Sequence, residues 1–456
     1  MGRDDEDTGD EDGGRVPDWV QDAVWWHVYP LGVVGAEPTA PADGVVRHRL
    51  PQLVGWLDHA VELGANGVAL GPVFASSTHG YDTVDHTRID PRLGDDADFD
   101  ALVAAAHDRG LRVLLDGVFN HVGREHPAFR SALADGPGAP TASWFRLRRP
   151  SGPDAAPRYD TFEGHDQLVA LDHSSPAVVD LVADVMTRWL DRGADGWRLD
   201  AAYAVPASFW AQVLPRVRAA HPDAYLVGEV IHGDYRRVVA DSGMDAVTQY
   251  ELWKAIWSSL NDGNLHELAH ALGRHDGFLG GGEGGGGFVP YTFVGNHDVT
   301  RIASRLTDPR HLPHALAVLF TVGGTPSVYA GDEQGFTGVK EDRAGGDDAV
   351  RPAFPATPAE LPPSGEPVFR LHQQLIGLRR RHRWLHTART TVLHRDNRQL
   401  TYASEAGGQR LLVALNLTDG PVEQPAPGAG EVLAGAGDVR GDAVRLGPHG
   451  WAVLAG

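Results

Sequence analysis

The chain has 456 residues, of which 42% are hydrophobic, and it contains no cysteine. The length predicts two or three domains at roughly 150 residues each, and the lack of cysteine excludes disulfides, thiolate metal ligands and a cysteine nucleophile. The formal net charge of −21 argues against a nucleic-acid partner, because phosphates require a basic surface. No apolar run approaches the roughly 20 residues needed to cross a bilayer, so we expect no membrane partner.

The first 14 residues read MGRDDEDTGDEDGG and hold seven acidic residues against one arginine. Such a charge run predicts a disordered, solubilising tail over residues 1–16. The segment has neither the basic nor the apolar region of a secretory signal, which favours a cytoplasmic location. A mature chain from which a signal had been removed would read the same way.

From residue 17 onward, short β-like runs alternate with helical stretches rich in Ala, Leu and Val, the pattern of parallel β/α units. Eight such runs cover residues 23–31, 67–72, 112–118, 196–201, 225–230, 246–250, 291–296 and 326–330. Helices are predicted between them, among them 95–109, 176–192 and 206–219. Eight units predict an α/β fold, a (β/α)8 TIM barrel formed by residues 17–120 and 173–384.

Two segments depart from this alternation. Residues 121–172 carry Gly, Pro and Asp with little periodicity and are too long for one crossover, so we predict a small domain inserted after the third strand. After a helical stretch over 367–383, residues 385–456 read as short alternating runs between turns, which predicts a C-terminal antiparallel β domain. The loop 280–287 has seven glycines and one glutamate, but it lacks the Lys-Ser/Thr of a phosphate-binding loop.

Four of the predicted strands end in polar or charged clusters, which read DGVFNH (116–121), GWRLDAA (196–202), LVGEV (226–230) and FVGNHD (293–298). The C-terminal ends of barrel strands converge on one face, where catalytic groups lie. We therefore expect three acids, two histidines and an arginine in one pocket: Asp200, Glu229, Asp298, His121, His297 and Arg198. A single acid at such a place could be the N-cap of the next helix, and Asp116 could be structural, paired with Arg198. Four clusters in this order favour a catalytic pocket.

The four clusters match, in sequence and order, the signature regions of the α-amylase family of glycoside hydrolases, which the chain resembles from about Trp25 to its C-terminus. Within that family it is most similar to intracellular maltodextrin-acting amylases and α-glucosidases. The resemblance implies that Asp200 is the nucleophile, Glu229 the general acid/base and Asp298 the transition-state stabiliser. It assigns a second set of residues to holding the sugar or setting the charge of the carboxylates: His79 and Tyr81 of the THGYD segment (78–82), His121, Arg198, His297, and Asp347 and Arg351 of GGDDAVRP.

Retaining hydrolysis needs two carboxyl groups roughly 5 to 5.5 Å apart, one to attack the anomeric carbon and one to protonate the leaving oxygen. Asp200 and Glu229 end neighbouring predicted strands, which is compatible with that gap. The nucleophile must be ionised, and we expect Arg198, two residues earlier on the same strand face, to lower the pKa of Asp200. The reaction requires no redox or organic cofactor.

The chain departs from calcium-dependent members of the family, which bind the ion through an asparagine, an aspartate and a backbone carbonyl. Asn120 is kept, but Ala170 stands where the aspartate would be, and the segment after Asp200 reads AAYAV in place of AAKHV. A hard cation takes six to eight oxygen ligands, so the loss of a charged one is costly. We therefore expect no metal, and an Asn120 that bonds only to the backbone.

The same departure bears on the substrate. Tyr203 replaces a residue that contacts the aglycone side in endo-acting amylases, and the inserted domain is short. Both favour α-1,4-linked maltooligosaccharides over starch, and Ala201 after the nucleophile resembles α-1,4-acting members. A transglycosylase or isomerase of the same family, with a sugar as acceptor, stays open. A non-catalytic binding or scaffold relative would have lost the acids, and all three are present. The sequence holds no signal for the oligomeric state.

Overall fold

The computed structural model of the protein describes residues 16–148, 157–280, 287–343 and 345–456. The predicted acidic tail, except for Val16, and residues 281–286 of the glycine-rich loop lie outside the described residues. In the described ranges, no helix combines the length and the apolar character that a membrane span requires.

Eight parallel strands form the predicted barrel. They are β1 (Trp25–Val28), β2 (Gly67–Leu70), β3 (Arg112–Gly117), β4 (Gly196–Leu199), β5 (Tyr225–Gly228), β6 (Ala246–Val247), β7 (Tyr291–Phe293) and β8 (Thr325–Tyr329). Their order in the sheet is β6-β5-β4-β3-β2-β1-β8-β7, and a parallel bridge between Thr248 and Tyr291 joins the two ends. The prediction of a (β/α)8 barrel is confirmed, and β8 begins one residue earlier than expected.

Within the described residues, ten helices follow the strands around the barrel. They are α1 (Leu50–Val54), α2 (Leu57–Leu63), α3 (Asp96–His107), α4 (Pro176–Asp191), α5 (Ala207–Ala220), α6 (Tyr235–Ser242), α7 (Tyr250–Asp262), α8 (Leu265–Leu279), α9 (Leu312–Thr321) and α10 (Glu366–Arg381). Asp95 and Asp98 form a capping box that starts α3, and a proline occupies the first turn of α4. Shorter helices in the loops are Pro30–Val33, Pro127–Asp135 and Ile302–Arg305.

Aromatic side chains fill the inside of the barrel. Trp25 of β1 stacks on Tyr225 of β5, with ring centroids 6.3 Å apart and planes 8° from parallel. A Cβ added to Gly67 of β2 would lie 2.5 Å from the Trp25 ring, so only glycine allows the indole to cross the barrel there. Because the interior is packed, a substrate can enter only at the ends of the strands.

A small antiparallel sheet interrupts the barrel between β3 and α4, as predicted. Its strands are His121–Gly123, Thr161–Phe162 and His165–Ala170, with the last in the centre. A second hairpin, Phe74–Ser76 with Thr83–Ile89, follows β2 and was not predicted. It presents the 78–82 segment at the C-terminal ends of the strands, where Asp82 accepts hydrogen bonds from the amide and hydroxyl of Thr78.

The C-terminal β domain has two antiparallel sheets, also as predicted. Five strands, β9 (Arg389–Asp396), β10 (Gln399–Ala406), β11 (Gln409–Asn416), β13 (Val432–Gly435) and β16 (Trp451–Ala455), pair in the order β9-β10-β11-β16-β13. The second sheet pairs β12 (Val422–Pro425), β15 (Ala443–Leu446) and β14 (Asp438–Arg440) in that order. Apolar side chains fill the space between the sheets, and Arg389 of β9 is ion-paired with Asp276 of α8. The exact domain bounds given above stay a prediction.

Candidate active site

The predicted acids stand at the C-terminal ends of three barrel strands. Asp200 follows β4, Glu229 follows β5 and Asp298 lies five residues after the end of β7. The amide of Asp200 donates to the carbonyl of Gly117 at 3.0 Å, and that of Glu229 to the carbonyl of Leu199 at 2.9 Å, so the parallel ladder continues up to both acids. All three carboxylates line a cavity of about 390 Å³.

Eight of the ten predicted site residues line this cavity, and two lie beneath its floor. The lining set is His79, Tyr81, His121, Asp200, Glu229, Asp298, Asp347 and Arg351. Arg198 and His297 lie below, where the Arg198 side chain is 9% exposed and that of His297 is fully buried. The structure therefore brings together the residues of all four sequence clusters.

One guanidinium connects the acids under the cavity. Nη1 of Arg198 lies 2.6 Å and 2.7 Å from the two oxygens of Asp116 and 3.3 Å from Oδ1 of Asp200. Nη2 lies 2.7 Å from Oε1 of Glu229. The ion pair between Asp116 and Arg198, which the sequence had suggested, is present. It fixes the position of the guanidinium that contacts both Asp200 and Glu229.

Glu229 has further partners that sequence reasoning missed. Its Oε2 accepts a hydrogen bond from the amide of Ala201 at 3.0 Å, and its Oε1 accepts one from the hydroxyl of Tyr250 at 3.1 Å. Ala201 has φ +46°, a left-handed conformation that is costly for a residue with a side chain and often occurs at functional sites. Asn296 donates to the Tyr250 hydroxyl at 2.9 Å. Asn296 lies within the FVGNHD cluster and Tyr250 ends the sixth predicted run. Both therefore stand at strand ends, a position that could have marked them as site residues.

Asp298 is held by Arg351 of the segment after β8 and by its own neighbour His297. Nη2 of Arg351 lies 2.7 Å from Oδ1 of Asp298 and 3.1 Å from Oδ2 of Asp347. Nε2 of His297 lies 2.9 Å from Oδ2 of Asp298, and Nε of Arg351 donates to the His297 carbonyl at 3.0 Å. The Asp298 side chain is 30% exposed, more than that of Asp200 or Glu229. Asp298 is thus a charge fixed at the cavity wall.

The aromatic predicted to stack on the sugar stands beside this group. The hydroxyl of Tyr81 donates to Oδ2 of Asp116 at 2.9 Å and also contacts Nε2 of His297. Nε2 of His121 donates to the carbonyl of Tyr81 at 3.0 Å, while the amide of Tyr81 donates to Nδ1 of His79 at 3.2 Å. His121 is therefore already bonded to the backbone that carries Tyr81, so it positions the aromatic.

The surroundings shift the pKa values of Asp200 and Asp298 in opposite directions. Burial raises the pKa of Asp200 well above its ordinary value, and the neighbouring Glu229 raises it further, while Arg198 lowers it. Arg198 lowers the pKa of Asp200 as predicted, but burial and Glu229 outweigh that effect, and the guanidinium lies closer to Asp116 than to Asp200. Burial also raises the pKa of Asp298, but His297 and Arg351 outweigh it and hold that pKa well below the ordinary range.

The region that holds calcium in some family members lacks its charged ligand. Ala170 pairs directly with His121 across the antiparallel sheet, so a methyl group occupies the place next to Asn120. Nδ2 of Asn120 lies 3.1 Å from Nδ1 of His121. The backbone carbonyl of Asn120 accepts a hydrogen bond from the amide of Leu171. The expectation that the Asn120 side chain bonds to backbone is wrong, since its partner is a ring nitrogen. The residues here do not form an oxygen cage.

Comparisons with known proteins agree with this geometry. The alpha-amylase family, described as "Alpha amylase, catalytic domain", matches residues 52–387. A cyclomaltodextrinase from a Bacillus species is 32% identical over 430 residues, 88% of this chain and 74% of that protein. A cyclomaltodextrinase from Geobacillus thermopakistaniensis (strain MAS1) is 30% identical over 91% of this chain and 72% of its own. An intracellular maltogenic amylase of Bacillus subtilis (strain 168) is 30% identical over 342 residues, which are 71% of this chain and 57% of that protein.

Among solved structures, the cyclic alpha-maltosyl-(1→6)-maltose hydrolase of Arthrobacter globiformis, in complex with cyclic alpha-maltosyl-(1→6)-maltose, is similar over its full length. The TM-score is 0.82 at 28% identity, covering 97% of this chain and 100% of that chain. The match therefore includes the barrel, the inserted sheet and the C-terminal β domain. With the family match over most of the barrel, it follows that the chain belongs to the α-amylase family and is a glycoside hydrolase.

Proposed function

We propose that this hydrolase cleaves α-1,4-linked maltooligosaccharides with retention of configuration, with Asp200 as nucleophile, Glu229 as general acid/base and Asp298 as transition-state stabiliser. The observation that carries the proposal is the contact of Asp200 and Glu229 with one guanidinium, that of Arg198, at the floor of a single cavity. A guanidinium that contacts both carboxylates brings them to the short separation that a retaining mechanism needs. The similarity to cyclomaltodextrinases and a maltogenic amylase supports the substrate class.

In the first step the Asp200 carboxylate attacks the anomeric carbon while Glu229 donates its proton to the glycosidic oxygen. The bond between anomeric carbon and that oxygen breaks, the shortened sugar leaves as an alcohol, and the remaining glucosyl unit is esterified to Asp200. In the second step Glu229 takes a proton from water, the resulting oxygen attacks the anomeric carbon, and Asp200 is released as a carboxylate. Both half-reactions conserve protons and need no cofactor.

The attack requires an ionised Asp200 and a proton on Glu229. Burial and Glu229 raise the pKa of Asp200, while Arg198, which contacts three carboxylates, lowers it. Protonation of Glu229 weakens its contact with Arg198, which leaves the guanidinium to Asp116 and Asp200 and stabilises the ionised nucleophile.

Asp298 meets the opposite requirement. The contacts of Arg351 and His297 with its two oxygens hold its pKa well below the ordinary range despite its partial burial, so it stays negative at neutral pH. A fixed negative charge at the cavity wall stabilises the positive charge that develops on the sugar ring. Tyr81, held by Asp116 and His121, offers the ring face for that sugar.

Two polar bridges connect residues of the cavity lining, which favours short substrates. The Tyr203 hydroxyl donates to Oε1 of Glu163 at 2.8 Å, which ties the loop after β4 to the inserted sheet. Nζ of Lys340 lies 3.2 Å from Oδ1 of Asp347. We place this activity in the cytoplasm, where maltodextrins released from larger glucans would be its substrates, in line with the intracellular relative.

The first prediction separates the two carboxylates. Asp200→Asn removes the nucleophile, so neither maltotriose nor an aryl α-glucoside with an activated leaving group should turn over above background. Glu229→Gln removes proton donation alone, so it should lose roughly 10² to 10⁴-fold in kcat/KM on maltotriose, the scale of general acid catalysis. It should retain far more activity on the activated aryl glucoside. Equal losses of Glu229→Gln on both substrates would contradict its assignment as the acid.

The second prediction concerns chain length. The wild type should have a higher kcat/KM on maltotriose to maltohexaose than on soluble starch, measured per chain. Tyr203→Phe removes the bridge to Glu163, and at about 1 kcal/mol for one hydrogen bond it should raise the ratio of starch to maltotriose activity by roughly fivefold. Glu163→Gln is the matched control, because its amide oxygen still accepts the bond. Fast internal cleavage of amylose by the wild type would contradict the proposed preference for short substrates.

The third prediction is that catalysis is independent of calcium, since Ala170 replaces the charged ligand beside Asn120. Initial rates on maltotriose should be the same after dialysis against EGTA, a calcium-selective chelator, and after calcium is added back. A large loss restored by calcium would show that other oxygens replace the missing carboxylate.

A further inference from the structure

A second group of ligand-type side chains lies where the barrel meets the C-terminal β domain. Asp308 and His311 precede α9 of the barrel, and His449 lies in the turn between β15 and β16. One ligand atom from each of the three lies within 4.8 Å of the other two. None of the three lines the active-site cavity.

The two histidines face each other through ring nitrogens. Nε2 of His311 lies 2.9 Å from Nδ1 of His449. On the other side of its ring, Nε2 of His449 lies 2.9 Å from Oδ1 of Asp419, which as a carboxylate can only accept a hydrogen bond. The proton of a neutral His449 therefore sits on Nε2, and Nδ1 presents its lone pair to His311.

His311 completes this contact from the barrel side. Its Nε2 faces Nδ1 of His449, so a neutral His311 carries its one N–H on Nε2 and donates it to His449. A single proton thus joins the two rings, and a metal cation can take its place, because neutral imidazole nitrogens are common metal ligands.

We propose that Asp308, His311 and His449 form a Zn²⁺ site that fastens the C-terminal β domain to the barrel. Two imidazole nitrogens and a carboxylate oxygen are a ligand set that zinc accepts, with water in the fourth position. With Zn–N bonds of about 2.0–2.1 Å in a tetrahedral site, the two facing nitrogens would move apart by roughly half an ångström from their present distance. Asp419 is the outer partner that fixes the tautomer of His449 as such a ligand.

The surroundings favour a built site over an accidental cluster. His311 is 6% exposed, and the His449 side chain is 8% exposed. His449 adopts a left-handed φ of +47°, a conformation with a steric cost, while its amide donates to the carbonyl of Thr418 at 3.0 Å. Arg310 is the opposing charge, since its Nη2 lies 2.6 Å from Oδ2 of Asp308, and it must share that carboxylate with the ion.

The test is titration of the chelator-treated full chain with Zn²⁺ by calorimetry, with thermal melting as a second readout. We expect one equivalent to bind with a micromolar or lower Kd and to raise the melting temperature. Asp308→Asn keeps the helix cap on the Arg310 amide but removes the charge, and His449→Asn suits the left-handed backbone. Each should weaken Zn²⁺ binding at least tenfold, while maltotriose activity without zinc is unchanged.

His48→Gln is the matched control, because His48, Asp95 and Asp98 form the other such cluster in the described part of the chain. That variant should bind Zn²⁺ like the wild type. The proposal is overturned if the wild type binds no zinc, or if zinc binding survives in His449→Asn. The first result would mean that a proton alone stands between the two rings.

Discussion

The buried Arg198 guanidinium contacts three carboxylates, and the catalytic end of the barrel depends on these contacts. Asp116, Asp200 and Glu229 each lie within 3.3 Å of the guanidinium, and none of them is more than 9% exposed. An unpaired carboxylate at such depth would cost several kcal/mol, so without the cation these acids could not be gathered under one pocket. The same guanidinium fixes their relative positions. It is one positive charge against three carboxylates, and burial together with Glu229 raises the pKa of Asp200.

The barrel separates this chemistry from the rest of the molecule. Stacked aromatics such as Trp25 and Tyr225 fill its interior, so the cavity is open only above the strand ends. The loops that complete the pocket come from the hairpin after β2, the inserted sheet and the segment after β8, which supply Tyr81, Glu163 and Arg351. The C-terminal β domain supplies no residue to the cavity lining, which is why a metal tie at His449 would act on stability and leave the chemistry untouched.

The barrel and the positions of its three acids could be predicted from the sequence, because a local pattern of residues marks where each strand ends. A buried run that stops at an acid places that acid at the rim of a parallel barrel, which sufficed for Asp200, Glu229 and Asp298. Partners contributed by distant loops were not predictable in this way. Tyr250 reaches Glu229 only once β6 has closed against β7, and His121 turned out to bond to the Tyr81 carbonyl because an unpredicted hairpin carries that segment. The net direction of the Asp200 pKa was not predictable for a related reason: the sequence shows that a cation is near, but not how deeply the acid is buried or how many acids share that cation.

Retention of configuration is the central claim, since it alone requires Asp200 to form a covalent bond with the sugar. The direct measurement is proton NMR of the anomeric signals during the first minutes of maltotriose hydrolysis by the wild type, before mutarotation mixes the products. Two displacements at the same carbon predict that the newly formed reducing end appears as the α-anomer. Initial appearance of the β-anomer would mean a single displacement by water, and the role assigned to Asp200 would be wrong.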